Sequence, residues 1–161
     1  MSKKKDSSGG STGTITKNKK AYFNFEIVEK YEAGIALKGS EVKSLRDRQA
    51  DLEGSYARIK GDEVFLVGCK IATYPQAGQF NHDPARDRKL LLHRSQITKI
   101  KVKLQQRGFT LVPLRIYFNN RGLAKIEIAL ARGKRQYDKR QKIKNEQQKR
   151  DVARKLKDYR H

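Results

Sequence analysis

From Gly133 onward the chain has almost nothing to bury, and that removes its last 29 residues from any packed fold. Twelve of them are Lys or Arg and four are Asp or Glu, while the apolar positions reduce to Ile143, Val152, Ala153 and Leu156, with tyrosines at 137 and 159. No continuous apolar stripe results, so the segment has no face to set against a neighbour. Neither Gly nor Pro occurs after Gly133, and Gln, Lys, Arg and Glu are good helix formers, so the backbone can become helical once its charges are neutralised. The expectation for 133–161 is a basic tail, disordered when free and helical when bound to a polyanion.

The remaining charge is unevenly spread. The chain carries a formal +21 with a pI near 10.2, of which residues 1–20 supply +5, 21–131 supply +7 and 132–161 supply +9. An excess concentrated at both ends points to nucleic acid. A membrane surface would need a basic helix with a strong apolar face, which the tail lacks; nor is there an 18-residue apolar span or a signal peptide, and a cytoplasmic protein is expected. Residues 1–18 are mostly Lys, Ser, Gly and Thr, a composition too polar to offset chain entropy, and are expected to form a disordered basic leader. About 110 residues are left, enough for one domain at 19–132. The single Cys69, in VFLVGCKI, cannot form an internal disulfide and reads as a buried small residue. His82, His93 and His161 lack the paired spacings of a zinc site, so no metal and no cofactor is expected.

Within that domain YFNFEIVEKY alternates Phe23, Phe25, Ile27 and Glu29 with Asn24, Glu26, Val28 and Lys30, which predicts a strand from Tyr22. Gly34 allows a bend, and Gly39-Ser40 precedes a short helix, SEVKSLRDRQ, with Val42 and Leu45 inward. Residues 55–60 and 64–71 flank Gly61-Asp62 as a hairpin. With Pro75, Gly78, Pro84 and two Asp, 74–88 reads as a long functional loop. Ser95 caps a helix through 107 with Ile97, Ile100 and Leu104 inward and Gly108 as its stop. Strands at Phe109–Phe118 and 123–131 flank an Asn119-Asn120-Arg121-Gly122 turn, and Pro113 places the first of them at an edge or a bulge. Six short strands with helices inserted between them predict a mainly β fold, a closed antiparallel OB-type barrel, the architecture most used at this size for binding oligonucleotides.

Three segments, EAGIALKGSEVKSLR (32–46), HDPARDRKLLLH (82–93) and GFTLVPLRIYFNNRGLAKIEIALARGKRQYDKR (108–140), together resemble the small protein B (SmpB) family, the SsrA-binding proteins. The resemblance runs from about Asn18 to the C-terminus. It implies a role in bacterial trans-translation: binding the tRNA-like domain of transfer-messenger RNA (tmRNA) and delivering it to ribosomes stalled on messages without a stop codon. It also implies an OB-type barrel, a tail that becomes helical in the empty mRNA channel, and elongation factor Tu as a partner through the aminoacylated RNA. The protein is expected to act as a monomer and not as an enzyme.

Carried onto this chain, the resemblance assigns RNA contacts to Lys19, Lys20, Phe25, Glu32, Arg86, Arg88, Lys89, Leu91, His93 and Lys125. Lys19 and Lys20 suit phosphate, or are ordinary solvated charges. Phe25 offers a ring for stacking on an unpaired base, or packs in the core. Glu32 repels phosphate, so its use would be to accept from base amino or ribose hydroxyl groups, or to orient a nearby cation. Arg86, Arg88 and Lys89 precede an apolar triplet and suit bidentate phosphate contacts from a loop at the barrel mouth. Leu91 matches a family position near the RNA but by residue type fills a core. His93 stands where Asn is often found in the family, and Lys125 lies on the outer face of the last strand, where solubility alone would also explain it.

The tail motif implies contacts at the decoding centre and mRNA channel through Gly133, Lys134, Arg135, Tyr137, Asp138, Lys139 and Arg140. Gly133 would let the chain turn away from the barrel, Tyr137 would stack where family members often carry His, and Asp138 would sit at the positive end of a helix. Two rivals stand beside this reading. An RNA-cleaving enzyme would draw on His82 with Asp83 and Asp87, or on Glu26, Glu29 and Glu32, but no nucleophile or phosphate loop accompanies them. A generic basic RNA-binding or ribosome-associated protein differs from the rescue reading in selectivity at raised salt.

Overall fold

The structure is a computed structural model that describes residues 13–158; positions 1–12 of the expected leader, and 159–161, lie outside the described residues. In chain order the elements are β1 (Thr14–Lys17), α1 (Lys19–Asn24), β2 (Phe25–Ile35), α2 (Gly39–Arg46), β3 (Ala50–Asp51), β4 (Tyr56–Lys60), β5 (Glu63–Val67) and β6 (Lys70–Ile71). A 3-10 segment follows (Pro75–Phe80), then β7 (Arg88–Leu91), α3 (Arg94–Leu104), β8 (Phe109–Phe118), β9 (Ala124–Gly133) and α4 (Gln136–Asp158).

Antiparallel pairings run β8-β4-β5-β7-β2-β9 and return from β9 to β8, so the strands form a ring. The β4–β8 seam is a single pair, Ala57 with Leu111, and further along the same edge of β8 the strand β1 is added at Arg115–Tyr117. β3 and β6 form a separate two-stranded ladder. Side chains alternating inward fill the ring with Leu66, Leu90, Leu111, Ile116, Ile126 and Ile128, all under 2 % exposed, each such burial stabilising by about 1.5–3 kcal/mol. Leu45 of α2 and Ile100 of α3 join this cluster.

β8 and β9 are buried on both faces along part of their length. Val112, Leu114, Ala129 and Ala131 form a second apolar cluster on the outside, covered by Ala21, Tyr22 and Phe25, which is why these strands read as near-continuous apolar runs. The register shifts between Pro113 and Arg115. Pro113 therefore lies at a bulge of a strand with three neighbours, not at a sheet edge.

Two expectations change at the N-terminal end. Thr14–Lys17, placed in the leader by composition, is a strand whose Ile15 packs on the core, because β8 otherwise presents an open edge there. The strand expected from Tyr22 begins at Phe25. Asn18, buried, accepts from Ala21 N through Oδ1 (3.0 Å) and donates through Nδ2 to Pro113 O (3.2 Å), which starts α1 as a capped turn over the second cluster. A register shift between Ile27 and Glu29 then breaks the expected alternation and leaves Val28 exposed.

Cys69 is buried, as its apolar setting suggested, and burial pushes its thiol up to about 11. The tail segment is a 23-residue helix. Gly133 does not use its conformational freedom: it is the last residue of β9, paired with Phe25, without a positive φ. Among the described residues no helix is long and apolar enough to cross a membrane.

Candidate nucleic-acid interface

Strand alternation sends Ile116, Ile126 and Ala33 into the ring and their neighbours out, building two cross-strand rows on the outer surface. One row reads Lys17, Arg115, Glu127, Glu32; the next reads Thr14, Tyr117, Lys125, Gly34, Leu91. Arg115 Nε donates to Glu127 Oε2 at 2.6 Å, and Lys30 Nζ lies 3.0 Å from Glu127 Oε1. Burial opposes ionisation of Glu127, but Lys30 and Arg115 outweigh it and hold the carboxyl below its usual range.

In the second row the Tyr117 hydroxyl donates to Glu32, and Lys125 Nζ stands 3.9 Å from the other Glu32 oxygen. Burial first, then the Glu32 carboxylate, push the Tyr117 phenol up to about 12. The Arg115 guanidinium lies 4.9 Å from the Tyr117 ring centroid, and Lys17 and Lys30 stand 5.4 and 5.8 Å from that of Tyr22. Cations, aromatic faces and an acceptor thus share one surface, the residue types that stack bases and meet ribose and phosphate.

The expected site residues do not form one group. Glu32, Lys125 and Leu91 come together, Leu91 being 54 % exposed over Gly34 and not core filling. Lys89 also faces outward, paired with Glu63. Lys19, Lys20 and Phe25 lie at the other end of β2, roughly 20 Å along the strand. There Lys20 pairs with Glu53, and Phe25 is half-buried against the second cluster. His93 is exposed before α3, its N–H donating to Gln96 Oε1 (3.1 Å).

Arg88 is a correction. It lies two residues before Leu90 on β7, so the same alternation turns it inward, where it is fully buried. Its Nε donates to Glu41 Oε1 (2.9 Å), Nη1 to Cys69 O (2.7 Å) and Arg86 O (3.0 Å), and Nη2 to Pro84 O (3.1 Å). Arg86 is also committed, donating to both Glu41 oxygens (2.8 and 2.5 Å) and to Ala36 O (3.2 Å). Neither arginine is arranged to meet phosphate. Together they neutralise a buried carboxylate that ties α2 to the 74–88 loop.

His82 is buried: its Nε2 meets Ile71 O at 2.9 Å, an acceptor only, so Nε2 carries a proton, and its Nδ1 lies 2.9 Å from the Ser40 hydroxyl. Tyr22, Lys30, Arg115 and Tyr117 were missed by sequence reasoning. For Arg115 and Tyr117 the signal was the alternation in LRIYF, outward on either side of Ile116.

The tail leaves the ring beside α1. Lys134 N donates to Asn24 O (2.9 Å), while the Nζ atoms of Lys134 and Lys142 both donate to Tyr22 O (3.2 and 3.0 Å). Asp138 lies in the first turn of α4, Arg135 O accepts from Lys139 N (3.3 Å), and Arg135 and Arg140 are exposed. Tyr137 is in the helix, with its side chain outside what is described.

A ring of strands with two helices packed on its core, a cationic and aromatic outer face and a basic helix leaving its rim defines a small basic β protein with the surface of a nucleic-acid binder. Comparison with known proteins is more specific. The family model described as SmpB protein matches residues 15–158, and the chain belongs to that family. It is 51% identical to the SsrA-binding protein of Symbiobacterium thermophilum over 142 residues, 88% of this chain and 90% of the relative. With the SsrA-binding protein of Syntrophobacter fumaroxidans it shares 49% over 154 residues, 96% and 95% of the two chains. A solved structure described as "tmRNA-SmpB: a journey to the center of the bacterial ribosome" is similar with a TM-score of 0.64 and 48% identity, covering 80% of this chain and 93% of that one.

Proposed function

We propose that this protein binds the tRNA-like domain of tmRNA and delivers it to stalled ribosomes in the cytoplasm, acting as a binding protein and not as an enzyme. The juxtaposition of Tyr117, Lys125 and Leu91 on one outward row with Glu32 of the adjacent row carries the reading. Here Glu32 answers the objection that a carboxylate repels phosphate: it orients Tyr117 and Lys125, leaving a ring and an ammonium aimed at the RNA. Membership of the SmpB family, and its likeness to SsrA-binding proteins and to a tmRNA-SmpB structure, support the same conclusion.

The ring of strands serves as a closed OB-type barrel, and the protein works as a monomer, reaching elongation factor Tu through the aminoacylated RNA. Gly133, Lys134, Arg135, Tyr137, Asp138, Lys139 and Arg140 enter the decoding centre, and the rest of α4 occupies the empty mRNA channel. The tail is only weakly helical when free and completes its helix there, since a helix without an apolar stripe gains little from the body of the protein.

A reconstituted system with ribosomes stalled on a message lacking a stop codon tests this division of labour. Truncation after Arg132 is expected to keep RNA capture within about threefold and to abolish peptide tagging, whereas Lys125→Ala weakens capture itself by about tenfold, a charge-assisted contact being worth about 1.5–3 kcal/mol. Equal loss of capture in both variants would contradict it.

A further inference from the structure

Beside the second cross-strand row lies a cavity of about 360 Å³ lined by Gly13, Ile15, Leu45, Arg46, Arg48, Phe118, Asn119 and Gly122. Ile15 and Phe118 give it an apolar side over the buried Leu45, and Arg46 and Arg48 are among its lining residues. Both arginines are exposed, and among the described residues neither the Arg46 nor the Arg48 side chain has a hydrogen bond or an ion pair. Two of its lining residues neighbour that face along the chain: Phe118 follows Tyr117, and Gly13 precedes Thr14, the cross-strand partner of Tyr117.

The backbone marks the same place. Arg48 has φ 58° and is the single non-glycine residue with positive φ among the described residues. A left-handed arginine costs of order 1–3 kcal/mol unless its surroundings impose it, and such residues cluster at binding sites. The turn is imposed by Arg48 N donating to Leu45 O (3.0 Å) and Gln49 N to Ser44 O (2.9 Å) at the end of α2. Asn119 at the opposite rim accepts the N–H groups of Arg121 (3.0 Å) and Leu123 (2.9 Å) through Oδ1. Its amide nitrogen is left with two donors to offer.

We infer that this cavity is a nucleotide subsite: it takes one unpaired nucleotide of the bound RNA, the base over Ile15 and Phe118 and the phosphate between Arg46 and Arg48. An apolar floor with few polar groups at the rim is how small-ligand pockets fix orientation, two guanidinium groups suit a phosphate, and RNA is read chiefly where its bases are unstacked. The Asn119 amide supplies hydrogen bonds to a base edge. The inference rests on the RNA-binding reading above and names a further point at which the RNA is held.

The test uses the full chain, labelled with 15N, titrated with adenosine 5′-monophosphate and, separately, ribose 5-phosphate, followed by amide chemical shifts. The nucleotide is expected to give saturable shifts centred on Ile15, Leu45, Arg48, Asn119 and Gly122, and ribose 5-phosphate to bind at least several-fold more weakly. Arg48→Gly removes the guanidinium while keeping a residue suited to φ 58°, so it should bind the nucleotide about tenfold more weakly with an unchanged or raised Tm. Equal binding of ribose 5-phosphate, shifts confined to α4 and the outer face, or unchanged binding by Arg48→Gly would each overturn the subsite. Capture of the tRNA-like domain is measured on the same samples. RNA captured with no nucleotide shifts removes the subsite alone, and loss of both removes the RNA-binding reading on which it stands.

Discussion

Arg88 and Lys89 are neighbours with opposite fates because a strand has period two: Lys89 goes out to Glu63, and Arg88 goes in with Leu90. Reading both as loop cations was natural while the strand was taken to begin at the apolar triplet; no residue type announces that a strand opens on an arginine. Arg88→Ala would leave Glu41 buried with one of its two arginines gone, and breaking a buried pair from one side costs about 3–5 kcal/mol. Urea denaturation should show that loss, with RNA capture by the remaining folded protein preserved. Lys125→Ala should do the reverse, changing stability by less than about 0.5 kcal/mol while capture falls. Glu41 adds a pH signature. Burial pushes its carboxyl upward, but the Arg86 hydrogen bonds, the Lys38 N–H and the Arg88 charge prevail and hold it below the usual carboxylate range. A depressed carboxyl contributes stability that is full above its unfolded value of about 4.3 and is lost as pH falls through the lower folded value. Denaturation midpoints measured from neutral pH downward should fall through that window in the parent chain, and Glu41→Gln should be less stable at pH 7 with a flatter acid limb.

Elements with a local cause were legible and those with a remote one were not. The β4–β5 hairpin follows from Gly61 at φ 65° between alternating runs, and the β8–β9 hairpin from the Asn119-Asn120-Arg121-Gly122 turn, whose Gly122 has φ 73°. β1 exists because β8, a hundred residues away in sequence, has an edge to offer, and α1 because a buried Asn18 bonds Pro113 O across the fold. The outward row of the site was half legible: Lys125 was placed by its own alternation, but Tyr117 joins it only through the β8–β9 register. For α4 the structure adds an anchor, the two lysines on Tyr22 O. Proline at position 141 removes a helix hydrogen bond and costs about 3 kcal/mol within α4. Gln141→Pro should therefore leave RNA capture and the melting of the ring unchanged, abolish tagging on stalled ribosomes and lower helical circular dichroism. Loss of capture in that variant would assign α4 to the RNA-binding surface instead.

At the scale of the whole molecule, a chain of formal charge +21 will bind many RNAs at low salt. Selectivity has to come from the shaped part of the surface, where Glu127 and Glu32 spend charge to fix Arg115, Tyr117 and Lys125 in place. On the proposed reading, raised salt is expected to weaken phosphate contacts made by the tail steeply and stacked, hydrogen-bonded contacts made by the face much less. Competition binding measures the difference directly: labelled tRNA-like domain of tmRNA, the full-length protein, moderate salt, and an excess of unrelated structured RNA. The complex is expected to survive the competitor and to be lost to it when Tyr117 and Lys125 are both changed to Ala. Displacement of the parent protein by any structured RNA would contradict the account and leave a general basic RNA binder.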